Sequence, residues 1–174
     1  MDNPVLQELE KLPKETLIDL VKMYSRNWMT LDGLWFSGVE ERYGLDAAMD
    51  IDTLMWRIGS MIEAKRIKEL LKLKGGLENI LRAINFMSWS PSFGYEYAIL
   101  DDRAIWTCRR CPPQEQRIKA GIGEFPCKPT FDACFNNVIQ VIDPAFKVRC
   151  IFCPPDPHPG DAWCQWEFSL PNRK

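Results

Sequence analysis

All seven cysteines of this 174-residue chain fall between Cys108 and Cys164, and the first 107 residues contain none. Seven is odd, so complete internal pairing is impossible. In a reducing compartment, clustered thiols serve metal binding, catalysis or plain burial more often than disulfides. The partition also divides the chain by pattern. Before Ser88 the apolar residues recur at helical spacing, and after it short β-like runs alternate with Pro and Gly.

In the first half, Pro13 sits at a helix start. Leu17, Leu20, Val21, Tyr24 and Trp28 then recur every three or four residues over Lys14 to Met29. Thr30 to Tyr43 reads as a further helical segment stopped by Gly44. Asp46 is placed to cap a short helix, and Asp52 to begin another running from Thr53 to about Lys74. Gly75-Gly76 ends it, and Leu77 to Met87 forms one more helix. In the second half, Tyr95–Leu100 and Ala104–Cys108 read as strands joined by an Asp101-Asp102 turn. Helices follow over Gln114–Ala120 and Pro129–Ile142, then strands over Lys147–Cys153 and Ala162–Leu170. The order β-β-α-α-β-β predicts an α+β fold with an antiparallel sheet covered by helices on one face. The expected division is a helical subdomain over 1–88 and a cysteine-rich α+β subdomain over 89–174, packed as one unit.

Lys and Arg (22) nearly balance Asp and Glu (24), for a net charge of -2. Such a balance offers no field to draw nucleic acid or an anionic membrane surface, so neither is expected as a partner. The N-terminus lacks the basic start and apolar run of a signal peptide, and no apolar stretch approaches the roughly 20 residues that span a bilayer. The expected compartment is the cytoplasm.

Two segments echo each other: Cys108-Arg-Arg-Cys111-Pro-Pro and Cys150-Ile-Phe-Cys153-Pro-Pro. Paired C-x-x-C motifs are the raw material of four-thiolate zinc sites. Proline follows each pair, however, where a zinc knuckle needs a free backbone N–H. In an extended pair, residues i and i+3 point to opposite faces, so only one thiol of each would reach a common site. The strand-end members Cys111 and Cys153 are the candidates, joined by Cys127 and by the single histidine, His158, held between two prolines. Cys111, Cys127, Cys153 and His158 compose a Cys3His set suited to one zinc or another transition metal. The competing expectation packs the cysteines as small apolar groups and leaves His158 in solvent. Cys150 and Cys164 are assigned to the core, facing each other across the last strand pair.

Glu115 and Glu124 are the candidate acid–base groups, should either be partly buried beside the thiols. Otherwise they are a helix-start charge and a loop charge. Trp35 and Arg66 are candidate walls of a pocket for an anionic or planar ligand, the alternative being an ordinary salt bridge beside core tryptophans.

Several motifs together resemble an uncharacterised family of prokaryotic cytosolic proteins: Trp35-Phe36 with Glu40, Glu63-Ala-Lys-Arg66, Cys111-Pro-Pro-Gln-Glu115, Gly123-Glu-Phe-Pro-Cys-Lys128, Cys153-Pro-Pro-Asp-Pro-His-Pro159 and Trp163-Cys-Gln-Trp-Glu-Phe168. More distantly the arrangement resembles the L-2-amino-thiazoline-4-carboxylate hydrolase-like family. The final strands are similar to vinyl-4-reductase-type ligand-binding domains, whose C-x-F-type ending has Trp166 in place of phenylalanine here. The nearer family implies no activity. The distant ones imply a hydrolase or a small-molecule sensor, and no catalytic residue is carried over from them. The function expected is small-molecule binding at a cysteine-rich, metal-binding site. The alternative is hydrolysis of a small C–N or C–S substrate by metal-activated water or a cysteine nucleophile. A third reading is a purely structural or scaffold protein that forms a homodimer through its tryptophan-rich helices, with no pocket, metal or reactive thiol.

Overall fold

A computed structural model describes residues 3–101 and 103–171. Of the Asp101-Asp102 turn, Asp102 lies outside the described residues. The described elements run α1 (Pro4–Lys11), α2 (Lys14–Tyr43), α3 (Leu45–Leu71), α4 (Leu77–Asn85), β1 (Gly94–Leu100), β2 (Arg103–Arg110), α5 (Pro112–Lys119), α6 (Lys128–Ile142), β3 (Lys147–Phe152) and β4 (Cys164–Ser169). This is an α+β fold with the helices concentrated ahead of an antiparallel sheet of strand order β1-β2-β4-β3.

Two expected helix breaks are absent. Thr30 does not start a segment: its Oγ1 donates to the Arg26 carbonyl one turn back at 2.9 Å, satisfying the hydroxyl inside a continuous α2. Asp52 does not cap a helix either. It sits in mid-α3, where its Oδ2 accepts from Thr130 Oγ1 of α6 at 2.8 Å. Short polar side chains read as caps in a sequence, but here Thr30 bonds within its own helix and Asp52 meets a partner on α6. The real break between the two long helices is Gly44, whose φ of +87 suits glycine and turns the chain into α3.

The α3–α4 connection depends on absent side chains in the same way. Gly76 N donates to Asp143 Oδ2 at 2.8 Å, and a Cβ on Gly75 would lie 2.8 Å from the same oxygen. The double glycine thus docks against the end of α6.

One apolar core crosses the Ser88 boundary. Trp56, Ala64 and Ile67 of α3, Ile80 and Ile84 of α4, Phe135 and Val138 of α6, and Trp106, Trp166 and Phe168 of the sheet belong to one cluster. The period-2 pattern places Ala104, Trp106 and Cys108 of β2 opposite Phe168, Trp166 and Cys164 of β4 on the covered face. Phe135 lies edge-on across that face, with ring centroids 5.3 Å from Trp106, 5.4 Å from Trp166 and 5.2 Å from Phe168. Burial of each such ring stabilises by about 2–3 kcal/mol. The same register sets Cys150 opposite Trp166, so it does not face Cys164. Among the described residues no helix is long and apolar enough to cross a membrane.

Candidate functional site

Between α2, α3, the first turn of α6 and the chain around α5 lies a pocket of about 790 Å³, within the range of small-molecule sites. Its apolar wall includes Phe36, Trp56, Trp89, Phe93, Phe125 and Phe131. Lys22 and Arg26, both exposed on α2, stand at the solvent side, and the carboxyls of Asp32 and Asp52 lie within.

Those two acids define the chemistry. Asp52 is 4% exposed. Asp32 Oδ1 is shielded from solvent and has no hydrogen-bond partner. Burial, then the neighbouring Asp52, pushes the Asp32 carboxyl up to about 7, against the opposing effect of the Trp56 indole. Burial likewise raises Asp52, with Thr130 and Trp56 acting the other way. Near neutral pH Asp32 is therefore about half protonated, where an ordinary aspartate has lost its proton. Sequence reasoning used Asp52 as a cap and passed over Asp32. A usable signal was present: each acid has apolar residues one turn away on its own helix, Met29 and Phe36 for Asp32, Met49 and Trp56 for Asp52.

One wall is fixed by an ion pair. Arg117 of α5 grips Glu40 of α2 through both guanidinium ends, at 2.6 and 3.0 Å. Its guanidinium lies 5.9 Å from the Phe36 ring and 5.7 Å from Phe125. The expected wall residues stand elsewhere: Trp35 is 45% exposed, Arg66 lies exposed on α3, and neither lines the pocket.

Beside the pocket the thiols gather. Cys108 at the end of β2 neighbours Cys111 and Cys164, Cys164 neighbours Cys153, and Cys153 neighbours Cys127. Cys111 lies within reach of the charge of Cys127, so the five thiols form a loose ring. The Cys127–Cys153 edge is 3.8 Å, and all five residues are 3% exposed or less. Around the ring the acidities alternate. Hydrogen bonds from neighbouring thiols pull Cys108 and Cys153 down. Cys111 is pushed up by burial, Cys127 by Cys153, and Cys164 by Cys108 and Cys153. The other two cysteines stand apart. Cys134 is buried in the apolar core, which raises its thiol to about 12, and Cys150 is half-buried on β3.

Of the expected metal set, then, Cys111, Cys127 and Cys153 belong to one ring, together with Cys108 and Cys164. Both thiols of the first C-x-x-C take part because β2 ends at Arg110 and the chain turns into α5, so the pair is not one extended run. His158 is occupied otherwise: Nε2 lies 3.2 Å from Glu124 Oε1, Nδ1 lies 3.1 Å from the Pro159 carbonyl, and the ring packs on Trp163. Glu115 Oε1 accepts the Cys111 N–H at 3.0 Å. Both acid–base candidates are therefore engaged, and neither lines the pocket. Among the described residues no three His, Cys, Asp or Glu side chains already enclose a metal-sized site.

No curated protein and no solved structure matches the chain, so the two distant resemblances gain no support. A family model described as a family of unknown function, DUF6125, matches residues 10–170. The chain belongs to that family.

Proposed function

We propose that this member of the DUF6125 family binds a small, largely apolar molecule carrying a hydrogen-bond-donating nitrogen. The observation that carries this reading is the partnerless Asp32 Oδ1 beside Asp52 in an aromatic pocket of about 790 Å³. An acceptor shut away from water without a donor costs about 1–3 kcal/mol, which a ligand N–H would recover. The aromatic wall takes the body of the ligand, and Lys22 with Arg26 favours a polar or anionic tail toward solvent.

The test is titration with panels of aromatic amines, aromatic amides and aromatic carboxylates, followed by tryptophan fluorescence and melting temperature. Amines or amides should bind saturably and raise the melting temperature. Asp32→Asn should weaken them by at least about tenfold, or 1.4 kcal/mol. Absence of binding by every class, or binding indifferent to Asp32→Asn, removes the reading.

Hydrolysis of a small C–N or C–S substrate is the second reading, favoured by the Asp32 carboxyl, which titrates at about 7 beside Asp52. In that case Asp32, rather than Glu115 or Glu124, delivers the proton to the leaving nitrogen or sulfur. Turnover of a thiazoline or amide, lost in Asp32→Asn while binding persists, would distinguish catalysis from binding alone. As a partner we propose a second copy of the chain. Leu17, Val21, Tyr24, Trp28, Leu31 and Trp35 on α2 follow the alternating three-and-four spacing of a coiled-coil seam. Val21, Tyr24 and Leu31 are 58%, 62% and 66% exposed.

A further inference from the structure

We propose that the ring of Cys108, Cys111, Cys127, Cys153 and Cys164 is a structural zinc site, with four of the five sulfurs as ligands and His158 outside it. The site does not depend on the pocket binding anything.

The first support is convergence. These thiols come from five separate places in the chain: the end of β2, the residue before α5, the residue before α6, the residue after β3, and the first residue of β4. Cysteines buried merely as small apolar groups have no need of one another. Here each of the five thiols has another of the five as a neighbour, inside the same apolar cluster that holds Cys134.

The second support is spacing. Zinc–sulfur bonds of ~2.3 Å in a tetrahedron put neighbouring sulfurs about 3.8 Å apart. The Cys127–Cys153 edge measures 3.8 Å. The described residues hold no ready-made set of three ligands, so the remaining sulfurs must draw in as the metal binds. Each ligating thiol gives its proton to solvent, and its sulfur lone pair forms the bond to Zn²⁺. Four thiols thus release four protons and leave a tetrathiolate of net charge -2.

The third support is how the surroundings answer that charge. Cys111 and Cys127 are the residues that cap the N-terminal ends of α5 and α6, where the helix dipole favours negative charge. Gln114, fully buried, donates Nε2 to Cys127 Sγ at 3.3 Å and to the Phe125 carbonyl at 2.8 Å, while its Oε1 accepts the Phe125 N–H at 3.1 Å. A buried amide locked on both ends to present an N–H to sulfur is the kind of outer support that thiolate–metal sites use. Trp163 N donates to the Cys108 carbonyl at 2.8 Å, and Asp156 N to the Cys153 carbonyl at 2.9 Å. The ligand backbones are tied in place by the same loops.

The experiment uses full-length protein, produced without a histidine tag in zinc-supplemented medium and measured by elemental analysis. The expected result is about one zinc per chain, stoichiometric release on titration with an organomercurial, and a lower melting temperature with a zinc chelator. Cobalt exchange should give the thiolate charge-transfer and visible bands of a tetrahedral sulfur site. The double variant Cys127→Ser/Cys153→Ser, which leaves three ring thiols, should lose the metal, and Cys150→Ser, outside the ring, should keep it. The wild-type readouts decide the matter even if the double variant fails to fold. Zinc at the level of chelator-treated protein overturns the proposal. So does metal retained in full by the double variant, or iron with acid-labile sulfide in place of zinc.

Discussion

The two long helices and the sheet treat their side chains in opposite ways. Along α2, side chains that should be hidden are left out: Tyr24, Leu31 and Leu34 are 62%, 66% and 67% exposed. At the end of the sheet, five groups able to ionise and bind metal are hidden at 3% exposure or less. Hydropathy alone predicts the first set inside and gives the thiols no reason to meet. The covered face of the sheet is fully packed, with Phe135, Trp106 and Trp166 closing the core together with α3 and α4. Helix α2 keeps an apolar face exposed, while Asp32 and Asp52 line the inner pocket.

Mutation can test that contrast directly, beginning with the core. Phe135→Ala should destabilise by about 3–5 kcal/mol in urea unfolding, because it removes five aromatic contacts and leaves a cavity. A loss under ~1 kcal/mol would mean that the core is elsewhere. Next in size is the pH dependence of the inward-facing acids. The folded Asp32 carboxyl titrates near 7, above its ordinary value of 3.8. Folding therefore favours its protonated form, and that contribution is complete below pH 3.8 and disappears as pH rises to about 7. Asp32→Asn should flatten this decline, so the variant gains relative to wild type between acid and neutral pH by on the order of 2 kcal/mol. An identical pH profile in the two proteins would refute it. The smallest effect on folding belongs to the exposed seam. Leu31→Glu should change the stability of the isolated chain by no more than about 0.5 kcal/mol while converting a dimer to a monomer in sedimentation. A wild-type chain that sediments as a monomer ends the dimer reading.

Much of the fold was legible because periodicity reports it well. The order of strands and helices after Ser88 follows from alternation at Tyr95–Leu100 and a 3.6-residue stripe at Phe131, Cys134, Phe135 and Val138. Where the reading broke, the cause was a local bond at Thr30 and a tertiary one at Asp52. Thr30 and Asp52 carry the chemistry of caps, and only the partners Arg26 and Thr130 reveal them as interior helix positions. The thiol ring was half legible. Cys111, Cys127 and Cys153 stand beside prolines that mark turns, whereas Cys108 and Cys164 look like alternating strand residues. They enter only through the register that sets them opposite each other. Asp32 was missed because an acid inside an amphipathic helix is usually solvated.

Helix α5 is eight residues long, roughly 12 Å of rod. Gln114 on it touches a ring sulfur, and one turn later Arg117 clamps Glu40 across the aromatic pocket wall. The thiol ring and one wall of the pocket are therefore fastened to the same short helix, the first through Gln114 and the second through Arg117.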